Sequence, residues 1–63
     1  MTNEEATAIR EMPREGFAAL SYGAPMDLTK QLVALGLIEI EFLTIDGKDY
    51  WRASLTARGK NAK

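Results

Sequence analysis

The 63-residue sequence contains no cysteine and no histidine. Disulfide bonds are therefore excluded, and the two most common zinc ligands are missing. The hydroxyl groups of Ser21 and Ser54 have no visible general base, so no nucleophilic arrangement can be assembled from the sequence. We therefore expect no catalytic residue, no metal site and no cofactor, and we predict that the protein is not an enzyme.

Long apolar runs are missing as well. No run approaches the ~20 residues that a helix needs to span a bilayer. The acidic N-terminus also lacks the basic and apolar regions of a signal peptide. These absences predict a soluble, cytoplasmic protein with no membrane partner.

The chain carries no strong excess of charge, because eight Lys and Arg are balanced by nine Asp and Glu, for a formal net charge of -1. It therefore lacks the basic surplus of a non-specific nucleic-acid binder. A chain of this length is expected to form a single domain, residues 1–63, that buries only about 60% of its unfolded surface. Since no disulfide supports so small a core, dimerisation is one remaining means of stabilisation.

Two helices are predicted in the first third of the chain. The first begins at Thr2, which can form a capping box with Glu5, and it ends at the following proline. The second is predicted over residues 13–23, with that proline in its first turn and with Phe17 and Leu20 on its inward side. A glycine is expected to end this second helix.

A third helix is predicted to begin within residues 25–27 and to run to Leu35. Leu28, Leu32 and Leu35 recur at helical spacing and define an inward face. Gly36 follows as the left-handed residue that ends the helix. The opposite face carries Asp27, Lys30, Gln31 and Ala34.

The clearest pattern is a β-hairpin between Leu37 and Leu55, because Asp46 and Gly47 suit a two-residue type I′ turn. On the inward side, this turn pairs Ile38 with Leu55, Ile40 with Ala53, and Phe42 with Trp51. On the outward side, it pairs Glu39 with Ser54, Glu41 with Arg52, and Leu43 with Tyr50. A slip of one residue would mix charged and apolar side chains on one face, so we predict this register. Thr56 then follows as the N-cap of a short terminal helix.

The order of these elements and three stretches of sequence resemble the winged helix-turn-helix domains of bacterial and phage regulators, including MarR-like and related groups. The stretches are "LVALGLIEI", "DGK" and "WRASLTARGK". The resemblance implies a small α+β fold of three helices, a two-stranded antiparallel hairpin (the wing) and a short C-terminal helical turn. It also implies that the third helix enters the major groove of double-stranded DNA, in transcriptional regulation or nucleoprotein assembly.

The resemblance implies DNA contacts by position in this sequence. The candidate DNA-binding residues are Asp27, Thr29, Lys30 and Gln31 on the third helix, and Lys48 at the tip of the wing. Arg58 and Lys60 in the tail are candidates for contact with an anionic partner. For each charged side chain the alternative is ordinary solvation at the surface.

A protein-interaction module that does not bind DNA is the alternative function, since a fold does not determine a function. In that case the outward pair Leu43 and Tyr50 is the candidate interface. A single apolar pair is also common on ordinary surfaces. The partner could be another protein or, in a homodimer, a second copy of the chain.

Overall fold

The computed structural model describes residues Met1–Lys63 and contains three α-helices and one three-stranded antiparallel sheet. In chain order, the elements are α1 (Asn3–Glu11), β1 (Ser21–Tyr22), α2 (Asp27–Ala34), β2 (Ile38–Ile45), β3 (Lys48–Leu55) and α3 (Ala57–Ala62). Strand β3 lies between β1 and β2. The predicted winged helix, three helices followed by a two-stranded hairpin, is therefore wrong in both the number and the order of its strands.

The error lies in residues 13–23, which form no helix. Gly16 adopts a left-handed conformation with φ +77°, which interrupts any helix through this segment. The segment instead runs along β3, where the Ala18 N–H donates to the Ala53 carbonyl (2.8 Å) and the Gly23 N–H donates to the Asp49 carbonyl (3.2 Å). These bonds satisfy backbone groups of β3 that a helix would leave unpaired, so sheet pairing overrides the local helical pattern.

The predicted hairpin register is confirmed. Strands β2 and β3 pair from Ile38 opposite Leu55 to Ile45 opposite Lys48, and every predicted pair between these ends is present. The turn residues Asp46 (φ +53°) and Gly47 (φ +76°) both have positive φ, as a type I′ turn requires. The predicted capping box of α1 and the predicted cap of α3 are also present.

The buried core is small and lies near the base of the hairpin. Nine of the 63 residues are buried, and Ile9 is the one large side chain that is completely buried. The apolar members of the core are Ile9, Leu32, Leu37, Ile38, Ala53 and Leu55. Trp51 packs against this core, but its partner Phe42 is 70% exposed, so the predicted burial of that residue is wrong. The inward face is therefore covered at the base of the hairpin and open towards its tip.

The capping box of α1 makes folding sensitive to acid. The Thr2 N–H donates to the Glu5 carboxylate (2.7 Å), and the Glu5 N–H donates to the Thr2 hydroxyl (3.1 Å). The first of these bonds is the main reason that the pKa of Glu5 lies below its ordinary value, because it favours the charged carboxylate. Stability from this interaction is present above the ordinary carboxyl pKa, and it is lost as the pH falls through the lowered value.

Glu5→Gln is therefore expected to give a shallower loss of stability on acidification than the wild type. Urea unfolding between about pH 3 and pH 6, where carboxyl groups titrate, measures this slope. Glu4→Gln is the matched control, because Glu4 is an exposed neighbour with no part in the capping box. Identical slopes for wild type and Glu5→Gln would contradict this assignment.

Thr56 joins α3 to the end of α2. Its hydroxyl donates to the Gly36 carbonyl (2.6 Å) and accepts from the Gly59 N–H (3.1 Å). Its own N–H donates to the Leu37 carbonyl (3.1 Å). One side chain therefore caps α3 and also fixes the turn that leads from α2 into the sheet.

Thr56→Ala is expected to lower the free energy of unfolding by about 1–2 kcal/mol, because the cap and the bond to the turn are lost together. Thr56→Ser keeps the hydroxyl and should retain most of this stability. Chemical denaturation of the two variants measures the difference. Equal stability of the serine and alanine variants would show that the hydroxyl contributes nothing.

Candidate functional site

The candidate cations of the tail make contacts within the chain. Arg58 donates through Nη1 to the Leu35 carbonyl (3.2 Å), which places a positive charge at the C-terminal end of α2. Lys60 Nζ lies 3.3 Å from a Glu15 carboxylate oxygen. Since both side chains have internal partners, the structure gives them a role in the fold.

The helix candidates divide into exposed and buried residues. Asp27, Lys30 and Gln31 are exposed on α2, whereas Thr29 is only 9% exposed. Thr29 is thus placed away from any ligand that approaches the helix from solvent. Lys48 is exposed at the hairpin tip, beside a cleft that contains no residue of α2. The cleft is therefore bordered by the hairpin candidate and by none of the helix candidates.

Arg52 is held in the middle of the outward face of the sheet. Its guanidinium lies 3.7 Å from the centre of the Phe17 ring, a cation–π contact, and 2.9 Å from the Glu41 carboxylate. Phe17 reaches this position because it forms a bridge with Ser54 of β3. The predicted pairing of Glu41 with Arg52 is confirmed, the two side chains form an ion pair, and Arg52 has partners on two sides.

The outward pair Leu43 and Tyr50 is extended by a third residue, Tyr22. Tyr50 lies opposite Leu43 on β2 and opposite Tyr22 on β1. The two tyrosine rings meet edge to face, with centroids 5.4 Å apart and planes inclined by 62°. The three strands thus place one continuous apolar row across the outward face, near the hairpin tip.

The sequence does not reveal Tyr22 as a site residue, because the spacing of Phe17 and Leu20 predicts a helix over residues 13–23. A two-residue strand is too short to produce an alternating pattern. The remaining signal was the pair of glycines that flank the segment, Gly16 and Gly23, both of which adopt positive φ. Glycines at both ends favour an irregular or extended segment over a continuous helix.

An open cleft of about 630 Å³ lies beside this row, between the hairpin tip and the loop from β1 to α2. The cleft is lined by Tyr22, Gly23, Ala24, Pro25, Phe42, Leu43, Thr44, Gly47, Lys48, Asp49 and Tyr50. We call Tyr22, Leu43, Lys48 and Tyr50, whose positions share the outward face of the sheet, the tip surface. Tyr22 is 70% exposed, so one aromatic side chain of this surface is largely open to solvent. Phe42 also borders the cleft, but its position is on the inward face of the sheet.

No helix in the structure has the length and apolar character needed to cross a membrane. No group of three or more His, Cys, Asp or Glu side chains is arranged to hold a metal ion. Comparisons with protein families, curated proteins and solved structures found no match to the chain. The residues define a small α+β domain whose most distinctive exposed feature is the tip surface, and function is argued from that feature.

Proposed function

We propose that this chain is a protein-interaction module that binds its partner through the tip surface. The observation that carries the proposal is the apolar row of Leu43, Tyr50 and Tyr22 on one face of the sheet, in which Tyr22 is 70% exposed beside an open cleft. Single exposed apolar residues are ordinary, but a cluster of them is typical of an interaction site. Aromatic side chains also contribute most strongly to the energy of protein interfaces.

The cleft is bordered by charges of both signs, which favours a protein partner over a ligand that is strongly charged. Lys48 and Asp49 both line the cleft, and Asp49 accepts a hydrogen bond from the Thr44 hydroxyl (3.3 Å). A mixed polar rim around an apolar centre is the usual anatomy of a protein interface. Arg52 and Lys60, which do not line the cleft, are paired with carboxylates. Their positive charges are therefore partly neutralised within the chain.

Affinity capture from the native host with matched variants tests the proposal. We expect one protein to be retained by the wild type, and to be lost when Leu43→Ser and Tyr50→Ser are combined. Val33→Ser is the control, because Val33 is 40% exposed on α2 and lies outside the tip surface. Binding must then be reproduced with the purified partner, where the double variant should bind at least about ten-fold more weakly. Equal binding of the partner by the double variant and by Val33→Ser would contradict the proposal.

Binding of double-stranded DNA is a second candidate, favoured by the exposure of Lys30 and Gln31 on α2. These side chains match hydrogen-bonding groups of guanine and adenine in the major groove. Neither Lys30 nor Lys48 forms a salt bridge within the chain. In this function, α2 contacts the bases and Lys48 contacts a phosphate.

A salt titration on mixed duplex DNA tests this second candidate. Binding should be tightest near about 50 mM salt and should weaken as salt is added, since phosphate contacts release counterions. The charge reversals Lys30→Glu and Lys48→Glu should weaken it further, and Leu43→Ser with Tyr50→Ser should leave it unchanged. Absence of measurable affinity at low salt would eliminate DNA as the partner.

A further inference from the structure

Strand β2 is an outer strand of the sheet, and half of its backbone groups face no other strand. In a hairpin with a two-residue turn, the residues that flank the turn exchange hydrogen bonds, so pairing alternates from there. Ile40, Phe42 and Thr44 therefore direct their N–H and C=O groups away from β3. The same alternation on β3 is seen directly, since the Asp49 and Ala53 carbonyls accept bonds from the β1 side.

The outer part of β2 has none of the features that usually protect a sheet edge. Natural edges are shielded by charges, prolines or bulges, which discourage pairing with another chain. The four residues 42–45, "FLTI", contain no charge and no proline, and the pairing with β3 is regular throughout. Phe42 is 70% exposed and Ile45 is 43% exposed. This edge therefore presents unpaired backbone groups and apolar side chains together.

We propose that two copies of this chain associate through their β2 edges, antiparallel, to form a continuous six-stranded sheet in which Phe42 packs against its symmetry mate. The inference goes beyond the proposed function, because it concerns the edge of β2 and names its occupant as a second copy of the same chain. A two-fold axis makes such an interface self-complementary, since each copy supplies the same strand. Backbone hydrogen bonds provide the affinity, as in other cases of strand addition.

The charges on β2 select the position of the two-fold axis. With the axis at Phe42, Glu41 lies opposite Leu43 of the other copy, and Glu39 lies opposite Ile45. No like charges then face each other. An axis at Glu41, Ile40 or Glu39 places glutamates directly opposite each other, which is destabilising. An axis still nearer the base leaves few residues of the strand paired.

An axis nearer the tip is also less favourable. With the axis at Leu43, Phe42 lies opposite Thr44 of the other copy, and fewer residues of the strand remain paired. The aromatic ring then packs against a smaller, polar side chain, and the number of hydrogen bonds falls. The axis at Phe42 combines the longest ladder free of charge repulsion with burial of the most exposed apolar side chain on the strand.

Sedimentation velocity of the purified chain tests the dimer. Over about 5 to 500 µM, a range suited to interfaces of modest affinity, the wild type should shift from monomer to dimer. Phe42→Ser should raise the dimer dissociation constant at least about ten-fold, and Val33→Ser should leave it unchanged. A wild type that remains monomeric throughout, or a dimer unaffected by Phe42→Ser, would overturn the proposal.

Cysteine cross-linking gives a second test that does not depend on the Phe42 variant. The chain has no cysteine, so Glu41→Cys and Leu43→Cys each introduce a single thiol. Under mild oxidation, a mixture of the two variants should form the mixed disulfide faster than either variant links to itself. Faster self-linking of Glu41→Cys or of Leu43→Cys would place the axis elsewhere and overturn the proposal. Cross-linking no faster than that of Val33→Cys would overturn the dimer altogether.

The two proposals can fail separately. If the chain is monomeric but a captured protein still depends on Leu43 and Tyr50, the dimer is overturned and the proposed function stands. If no captured protein depends on these residues and the chain is also monomeric, both are overturned. A dimer lost in Phe42→Ser supports the inference in either case.

Discussion

Gly59→Ala is expected to destabilise the protein by about 3 kcal/mol or more, through overpacking against a backbone that cannot move away. A Cβ atom at this position would lie 2.0 Å from the Leu37 carbonyl oxygen and 3.0 Å from the Leu55 Cδ2 atom. The Leu37 oxygen is fixed by the hydrogen bond from the Thr56 N–H (3.1 Å). The added methyl group therefore forces α3 away from the end of α2.

The sign of the stability change in Gly59→Ala distinguishes an effect of close packing from an effect of helix propensity. In an isolated helix, alanine is favoured over glycine by about 1 kcal/mol, so propensity alone predicts stabilisation. Urea denaturation followed by circular dichroism measures the change. Asn61→Ala is the control, because Asn61 is exposed in the same helix, and it should alter stability by no more than about 0.5 kcal/mol. A Gly59→Ala variant as stable as the wild type would contradict the close approach.

Ile9→Ala is expected to cost about 2–5 kcal/mol, the usual penalty for removing a large side chain from a packed core. Ile9 is the one large side chain that is completely buried, and it joins α1 to the core beneath the sheet. A domain of this size has a total stability of only about 3–9 kcal/mol, so this variant is expected to be partly or fully unfolded at 37 °C.

A graded series tests the contribution of Ile9 quantitatively. Ile9→Val removes one methylene group and should cost about 0.5–1.5 kcal/mol. Ile45→Ala makes the same chemical change as Ile9→Ala at a site that is 43% exposed, and its cost should be well below that of the buried change. Thermal unfolding at low protein concentration measures the stability of all three variants. Similar costs at positions 9 and 45 would contradict the small core described above.

The hairpin could be predicted because its determinants are local. Asp46 and Gly47 fix the turn, and the alternation of charged and apolar residues on both sides permits only one favourable register. Glu41 and Arg52 then meet across the strands. The caps at Thr2 and Thr56 were predictable for the same reason, since each depends on residues within one helical turn.

Residues 13–23 could not be predicted because their structure depends on a distant strand. Phe17 and Leu20 have helical spacing, but the edge of β3 offers hydrogen-bond partners far along the chain, such as Ala53 for Ala18 and Asp49 for Gly23. The exposure of Phe42 escaped prediction for a related reason. Its side of the sheet is set by the register, but its burial depends on how far the helices extend over that face.

The candidate site was predicted in part. The outward pair Leu43 and Tyr50 is present, and it lies beside a cleft. Tyr22 was missed because its strand was not foreseen. The burial of Thr29 and the internal bond of Arg58 both depend on how helices pack, which the local pattern does not specify. Contacts within the hairpin were therefore accessible from sequence, whereas contacts between elements required the structure.

The most direct test of the tip surface is a titration of the purified captured partner against three forms of this chain by isothermal calorimetry. Our account predicts that combining Leu43→Ser with Tyr50→Ser weakens binding at least about ten-fold relative to wild type. It also predicts that Lys30→Glu on α2 changes affinity by less than about two-fold. Loss of binding in Lys30→Glu, with the tip variant unaffected, would contradict the central claim.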